Sequence, residues 1–129
     1  MTPRLMAVVS ALVLTAGLAT AGTADAGTTR ADSTVTIKTQ NGDFWGQVKS
    51  DRPAKCAAER KVVVFKQAGN NQDPQQDERV ASDTASLSGD RYEWNTGNTG
   101  LRRGKFYARI VRTADCQPDT SETVRASRN

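Results

Sequence analysis

Asp83, Asp90 and Glu93 stand close together among hydroxyl side chains in ASDTASLSGDRYEW, residues 81–94. A pair of carboxylates is the machinery of glycoside hydrolysis. Oxygen ligands at alternate positions ahead of a glycine make a calcium loop. The spacing here meets neither requirement. No ligand occupies each alternate position, and a chain of this size offers little for a sugar cleft. A second oxygen-rich stretch, NNQDPQQDE from Asn70 to Glu78, carries a proline and no periodic order. Asp and Ser oxygens in such stretches bond nearby backbone N–H groups and turn the chain. Asp83 and Gly89 are therefore expected to be turn formers.

The sequence contains no histidine. That removes the Ser-His-Asp and Cys-His arrangements of nucleophilic catalysis. No Ser-x-x-Lys occurs either. The expectation is a protein that is not an enzyme, with no catalytic residue, no metal ligand and no cofactor.

Cys56 and Cys116 are the two cysteines. Two thiols without histidine make a poor zinc site, because closed sites want four Cys/His ligands. In an exported chain an isolated pair is most simply a disulfide. Export is what the N-terminus suggests. MTPR is a short basic start, and Leu5 to Ala19 is an apolar run of signal-peptide length. It falls short of the roughly 20 residues a membrane span needs. Ala24-Asp25-Ala26 offers an A-x-A cut, with a second candidate after Ala19-Thr20-Ala21. The reading is a signal peptide over 1–26, a flexible tail over 27–33 and one domain over 34–129. No transmembrane segment is expected after cleavage.

Of the 129 residues, 18 are Lys or Arg and 14 are Asp or Glu, a net charge of +4. This modest excess favours anionic surfaces such as envelope polymers without naming a partner. Nucleic acid is set aside. RGKFYARIV has the look of an RNA-binding strand, but Lys105 stands where a stacking aromatic is required. Export also removes cytosolic RNA.

The residues that remain must be positioned by strands. STVTIKT, DFWGQVKS, RYEWN and KFYARIVRT alternate with period 2, and RKVVVFK is a β-branched run flanked by charge. ERVASDT and ETVRAS are weaker runs of the same kind. Between them lie the turn-rich segments SDRPAK, QAGNNQDPQQD, SLSGD and NTGNTGLRRG. No stretch sustains a helical period. Short strands at this spacing predict an all-β, seven-strand antiparallel Greek-key sandwich.

The segments FWGQV, VVVF, SDTASLSGDRYEW and GKFYARI together resemble the transthyretin-like (prealbumin-like) sandwiches that include carboxypeptidase regulatory-like modules. The layout also looks like that of small secreted actinobacterial proteins with this cysteine pair. The resemblance implies a prealbumin/Ig-like sandwich over roughly Val35 to Val124 and, for most such modules, no catalysis. The catalytic members use histidine, which this chain lacks.

One surface stands out as a candidate binding patch. Trp45 lies opposite the Phe44/Val48 face, and Tyr107 and Arg109 lie opposite Phe106/Ile110. With Lys49, Arg102 and Arg103 they would form an aromatic-basic strip, a composition favoured at binding hot spots. The competing reading places the aromatics in the core, as is usual in small sandwiches. The function expected is a secreted, extracellular binding or envelope-associated module. Its partner would be an anionic envelope polymer or another extracellular protein. The alternative is a secreted inhibitor or antagonist presenting the loop Gln67 to Asp77, or the segment with Arg102 and Arg103.

Overall fold

The computed structural model describes residues 29–127. The signal peptide read over 1–26 lies outside them, as do residues 27 and 28. In chain order the elements are β1 (Ser33–Val35), β2 (Lys38–Gln40), β3 (Asp43–Ser50), the short helix α1 (Pro53–Cys56), β4 (Lys61–Gln67), β5 (Glu78–Thr84), β6 (Ser86–Ser88), β7 (Arg91–Asn98), β8 (Gly104–Ile110), β9 (Asp119–Thr120) and β10 (Val124–Ala126). They form two antiparallel sheets of five strands each. In the first, β1 and β2 share one edge of β3, followed by β7 and β6. In the second, β9 and β10 share one edge of β8, followed by β4 and β5. No helix among the described residues is long and apolar enough to cross a membrane.

The sequence has seven strand-like runs and the fold has ten strands: STVTIKT is split into β1 and β2, while β6 and β9 lie outside the runs, β6 within SLSGD, which was expected to be a turn. Each break between these strands and their neighbours has a local cause. Between β1 and β2 the Thr36 carbonyl accepts the indole N–H of Trp94 at 3.1 Å. Between β9 and β10 the Ser121 hydroxyl, rather than a carbonyl, accepts the Ala108 N–H at 2.8 Å. Between β5 and β6 the chain leaves one sheet for the other at Ala85, which is fully buried. Its N–H donates to the Arg60 carbonyl (2.8 Å) and its carbonyl accepts from the Glu59 N–H (2.9 Å).

The core lies between the sheets. Phe44, Val48 and Trp94 come from the first, and Val62, Val64, Phe106, Ala108 and Ile110 from the second. The Phe44 and Phe106 rings meet across the middle, 4.7 Å apart and tilted by 55°, a favoured aromatic geometry. Period-2 alternation put these residues on the inner face, and burial is what selects that register. Gly46 pairs with Trp94 across β3 and β7. A Cβ on Gly46 would stand 1.9 Å from the Thr36 oxygen and 2.9 Å from the Trp94 indole nitrogen. The glycine of FWGQV therefore makes room for the indole and its carbonyl acceptor. The β2–β3 hairpin turns at Asn41-Gly42, both with positive φ (51° and 91°), the signature of a two-residue primed turn.

The flanks of the sandwich are latched by aspartates. Asp119 of β9 accepts the Val35 N–H of β1 at 2.8 Å. Asp83 of β5 accepts the Asn95 N–H of β7 at 2.7 Å. Each carboxylate reaches from the second sheet to the first. Asp83 is therefore a strand residue joining two sheets, not the turn former expected. The turn that follows falls between Ser88 and Arg91.

One end of the sandwich is held by the Cys56–Cys116 disulfide and by Arg60. The disulfide spans 60 residues, a closure worth about 4 kcal/mol on the chain-entropy view. Arg60 is 5% exposed. Its Nη1 donates to the Cys56 carbonyl (3.0 Å) and the Ser33 hydroxyl (3.3 Å). Its Nη2 donates to the carbonyls of Val111 (2.6 Å) and Gln117 (2.9 Å). The N-terminal segment joins the same end. Arg30 donates to the Thr113 carbonyl, and Ala31 is buried and bridged in parallel to Cys116. The flexible tail expected over 27–33 is thus docked from Arg30 onward.

Two substitutions test this framework. Gly46→Ala should lower unfolding stability by about 3 kcal/mol, because the new methyl meets backbone. An unchanged urea midpoint would mean that the Thr36 carbonyl can move aside. Arg60→Leu should cost a similar amount, about 3 kcal/mol, by orphaning three carbonyls. Arg60→Lys should recover only part, since an ammonium lacks the fork that spans these acceptors. Equal midpoints for all three chains would remove Arg60 from this role.

Candidate functional site

The outer face of the second sheet is not bare. Loop residues 68–77 fold back over it, pinned by Asp77. Asp77 accepts the Ala68 N–H (3.0 Å), the Asp73 N–H (2.8 Å) and the Tyr107 hydroxyl (2.6 Å). Gln72 ties the loop to the Ser121 carbonyl, and Lys105 donates to the Gly69 carbonyl at 2.6 Å. Tyr107 is fully buried beneath this loop and stacks on Phe65, ring centroids 5.3 Å apart. Its membership of an exposed strip is therefore corrected. Alternation does place it on the outer face, but the loop covers that face. It fills a small second apolar layer, not the core between the sheets.

The six residues expected to share one patch do not come together. Trp45 and Lys49 lie on the outer face of the first sheet, where Trp45 is half-buried between its register partners Lys38 and Asn95. Arg109 lies on the outer face of the second sheet, opposite Val63. Arg102 and Arg103 are exposed on the connection between β7 and β8. Strands β3 and β8 belong to opposing sheets, so their outer faces look in opposite directions. No strip can join them. Of the remaining aromatics, Trp94 is core, as expected, and Tyr92 is half-buried against it. The carboxylates of the 81–94 stretch are also dispersed. Asp83 is a latch, Asp90 pairs with Arg91 at 3.9 Å, and Glu93 lies opposite Gln47.

The structure groups cations in two other places. At the end of the sandwich away from the disulfide, two adjoining hollows share Arg125, Ala126 and Ser127. One, of about 90 Å³, is also lined by Arg102, Gln40 and Asn41. The other, of about 480 Å³, is lined by Arg103, Lys105 and Gln67. Among the described residues no carboxylate lines either hollow. Among the described residues Arg102, Arg103 and Arg125 have no ion-pair partner; the ion pairs there are Lys55–Asp115 and Arg91–Asp90. Chain order hid this group, because Arg125 joins the others only through the pairing of β10 with β8, Arg125 opposite Lys105. The second place is a groove on the outer face of the second sheet, between Lys61, Arg79 and Arg109. Its pattern was visible only as charges flanking VVVF.

No protein-family model matches this sequence, and no curated protein matches it either.

The Asp77–Tyr107 pair has a pH signature. The Tyr107 hydroxyl and the two backbone donors hold the Asp77 carboxyl below its ordinary value. Burial, then the bond to Asp77, pushes the Tyr107 phenol well above its own. Asp77 therefore stabilises the fold above its unfolded pKa of about 4 and loses that contribution as pH falls through its lowered value. Tyr107 stabilises fully below its unfolded pKa of about 10 and loses that contribution as pH rises beyond it. Tyr107→Phe should unfold at lower urea than the parent at pH 7. The gap should narrow below about pH 4 and above about pH 10. A gap that is constant across this range would show that the pair does not titrate with folding.

Proposed function

We propose that this chain is a secreted, non-catalytic β-sandwich module that binds an anionic polymer of the cell envelope. The observation that carries the reading is the end cluster of Arg102, Arg103, Lys105 and Arg125 around two hollows that no carboxylate among the described residues lines. Cations of one sign at a concave surface concentrate a polyanion there. Neutral donors beside them, Gln40, Asn41, Gln67 and Ser127, suit the hydroxyls of a phosphate- or carboxylate-bearing glycan. The apolar leader and the disulfide support export to an oxidising compartment.

Within this reading the fold is a Greek-key sandwich of the prealbumin/Ig-like kind. If β1 with β2, β5 with β6, and β9 with β10 are each counted as one strand, seven remain. The first sheet then runs first, second, fifth, fourth, and the second sheet places the seventh, sixth and third side by side. That order supports the immunoglobulin-like form. A second reading, an inhibitor of a hydrolase, keeps the exposed Arg102-Arg103 segment as its presented element.

The test is retention on isolated anionic wall polymer. The parent should bind at low salt and elute as salt rises toward about 1 M, where charges are screened within about 3 Å. A variant carrying Arg102→Ala, Arg103→Ala and Arg125→Ala should bind about tenfold more weakly, at a few tenths to one kcal/mol per exposed contact. Retention indifferent to salt and to these substitutions would overturn the reading. Inhibition of a secreted hydrolase, lost in the same variant, would favour the inhibitor instead.

A further inference from the structure

The second cationic surface lies on the side of the sandwich, remote from the end cluster and unlike it in chemistry. Strand register sets Val63 opposite Arg109 and Phe65 opposite Arg79. Together with Lys61 and Val111 they line a groove of about 160 Å³. Its floor is apolar. Val111 is 52% exposed and adds apolar surface at the mouth. Phe65 closes one end. Its ring is stacked on Tyr107, with an interplanar angle of 10°, and is held from the other side by Arg79, 5.7 Å from the ring centroid. The ring is thereby kept from swinging into the groove.

The rim is cationic and unanswered. Among the described residues Lys61, Arg79 and Arg109 have neither an ion-pair nor a side-chain hydrogen-bond partner. The nearby carboxylates are turned elsewhere, Asp83 to the Asn95 N–H and Asp77 to Tyr107. An apolar hollow ringed by unpaired cations is complementary to a molecule with an apolar body and an anionic head.

We propose that this groove binds a small free carboxylate whose body is one aryl ring or a short acyl chain. Size sets the body, since a dry apolar cavity of about 150 Å³ holds one benzene ring. Charge sets the head. The guanidinium of Arg109 offers a planar fork for a bidentate carboxylate, and Lys61 adds a point charge beside it. Arg79 stands with its guanidinium over the Phe65 ring, where it can face the head. Val63 and Val111 receive the body.

The probe is phenylacetate, added to the chain as secreted with its disulfide intact and followed by amide NMR shifts. Saturable shifts should centre on Val63, Arg79, Arg109 and Val111, with a Kd of about 1 mM or below. 2-Phenylethanol has the ring without the charge and should bind at least about tenfold more weakly, as should inorganic phosphate, which has the charge without the ring. Arg79→Gln and Arg109→Gln should each keep the dispersed spectrum of the folded chain and weaken phenylacetate by about tenfold. The Arg102/Arg103/Arg125 triple variant should bind phenylacetate like the parent, which separates this site from the polymer-binding end. Shifts that do not saturate, that centre elsewhere, or that phosphate or phenylethanol reproduces at equal concentration would overturn the proposal. So would unchanged binding in both glutamine variants.

Discussion

A buried guanidinium with no carboxylate partner is the constraint around which one end of this molecule is arranged. Arg60 stands at the entry to β4 and is bonded to four separate chain segments: β1, the end of α1, the residue after β8 and the loop before β9. Burial lowers its pKa from the usual guanidinium value, and an unpaired charge taken out of water is expensive. The acceptors that offset this are backbone carbonyls that would otherwise lack donors. The exchange is mutual, since the carbonyls need the cation as much as the cation needs them. This explains why the disulfide sits where it does. Cys56 and Cys116 lie within the segments Arg60 gathers. The covalent bond restricts the unfolded chain, and the guanidinium sets the folded arrangement.

At the centre of the sandwich a different constraint operates. Trp94 is too large to pack beside another side chain on β3, and its indole N–H cannot be left unpaired in the core. Gly46 answers the first problem and the Thr36 carbonyl the second. The second answer takes the Thr36 carbonyl out of the ladder, so that the Gln47 N–H turns to the Thr36 hydroxyl while the Thr36 N–H still donates to the Gln47 carbonyl, and β1 and β2 are two strands along one edge. A broken edge strand is also a poor template for pairing with another chain. One tryptophan thus links core packing to the shape of the sheet edge.

The layered β architecture was legible in the sequence because it depends on period-2 alternation, which Phe44/Gly46/Val48 and Phe106/Ala108/Ile110 display plainly. The disulfide was legible from an isolated cysteine pair downstream of an apolar N-terminal run. The Asn41-Gly42 hairpin is equally readable, as a turn dipeptide between two alternating runs. What could not be read was the fate of the outer faces. Alternation says that Tyr107 points away from the core. It does not say that ten residues of loop will return to cover it, since that depends on Asp77 capturing three donors at once. Arg60 was invisible for a similar reason. Its acceptors come from positions 33, 56, 111 and 117, and no local pattern ties these together. The basic end was half-legible. Arg102 and Arg103 are adjacent in sequence, but Arg125 reaches them only through strand pairing.

Net charge understates how one-sided this surface is. Four aspartates that might have neutralised cations are spent on backbone N–H groups. Asp119 and Asp83 latch one sheet to the other, and Asp77 and Asp73 shape the 68–77 loop. A carboxylate that accepts from the backbone in this way is placed by the fold and cannot follow an arginine. Among the described residues Arg30, Arg60 and Lys105 also bond to carbonyls, and Lys55 and Arg91 pair with aspartates. Arg102, Arg103 and Arg125 at the end of the sandwich, and Lys61, Arg79 and Arg109 along the groove of the second sheet, have no ion-pair partner. An excess of only +4 therefore becomes two local groups of one sign, because several aspartates are held by the backbone and these six cations are not. Neutralising the latches would loosen the sheets without making the surface less basic. Neutralising the surface arginines would leave the sheets intact. The latching aspartates and the surface arginines can thus be varied separately, whereas Arg60 is a cation that belongs to the fold.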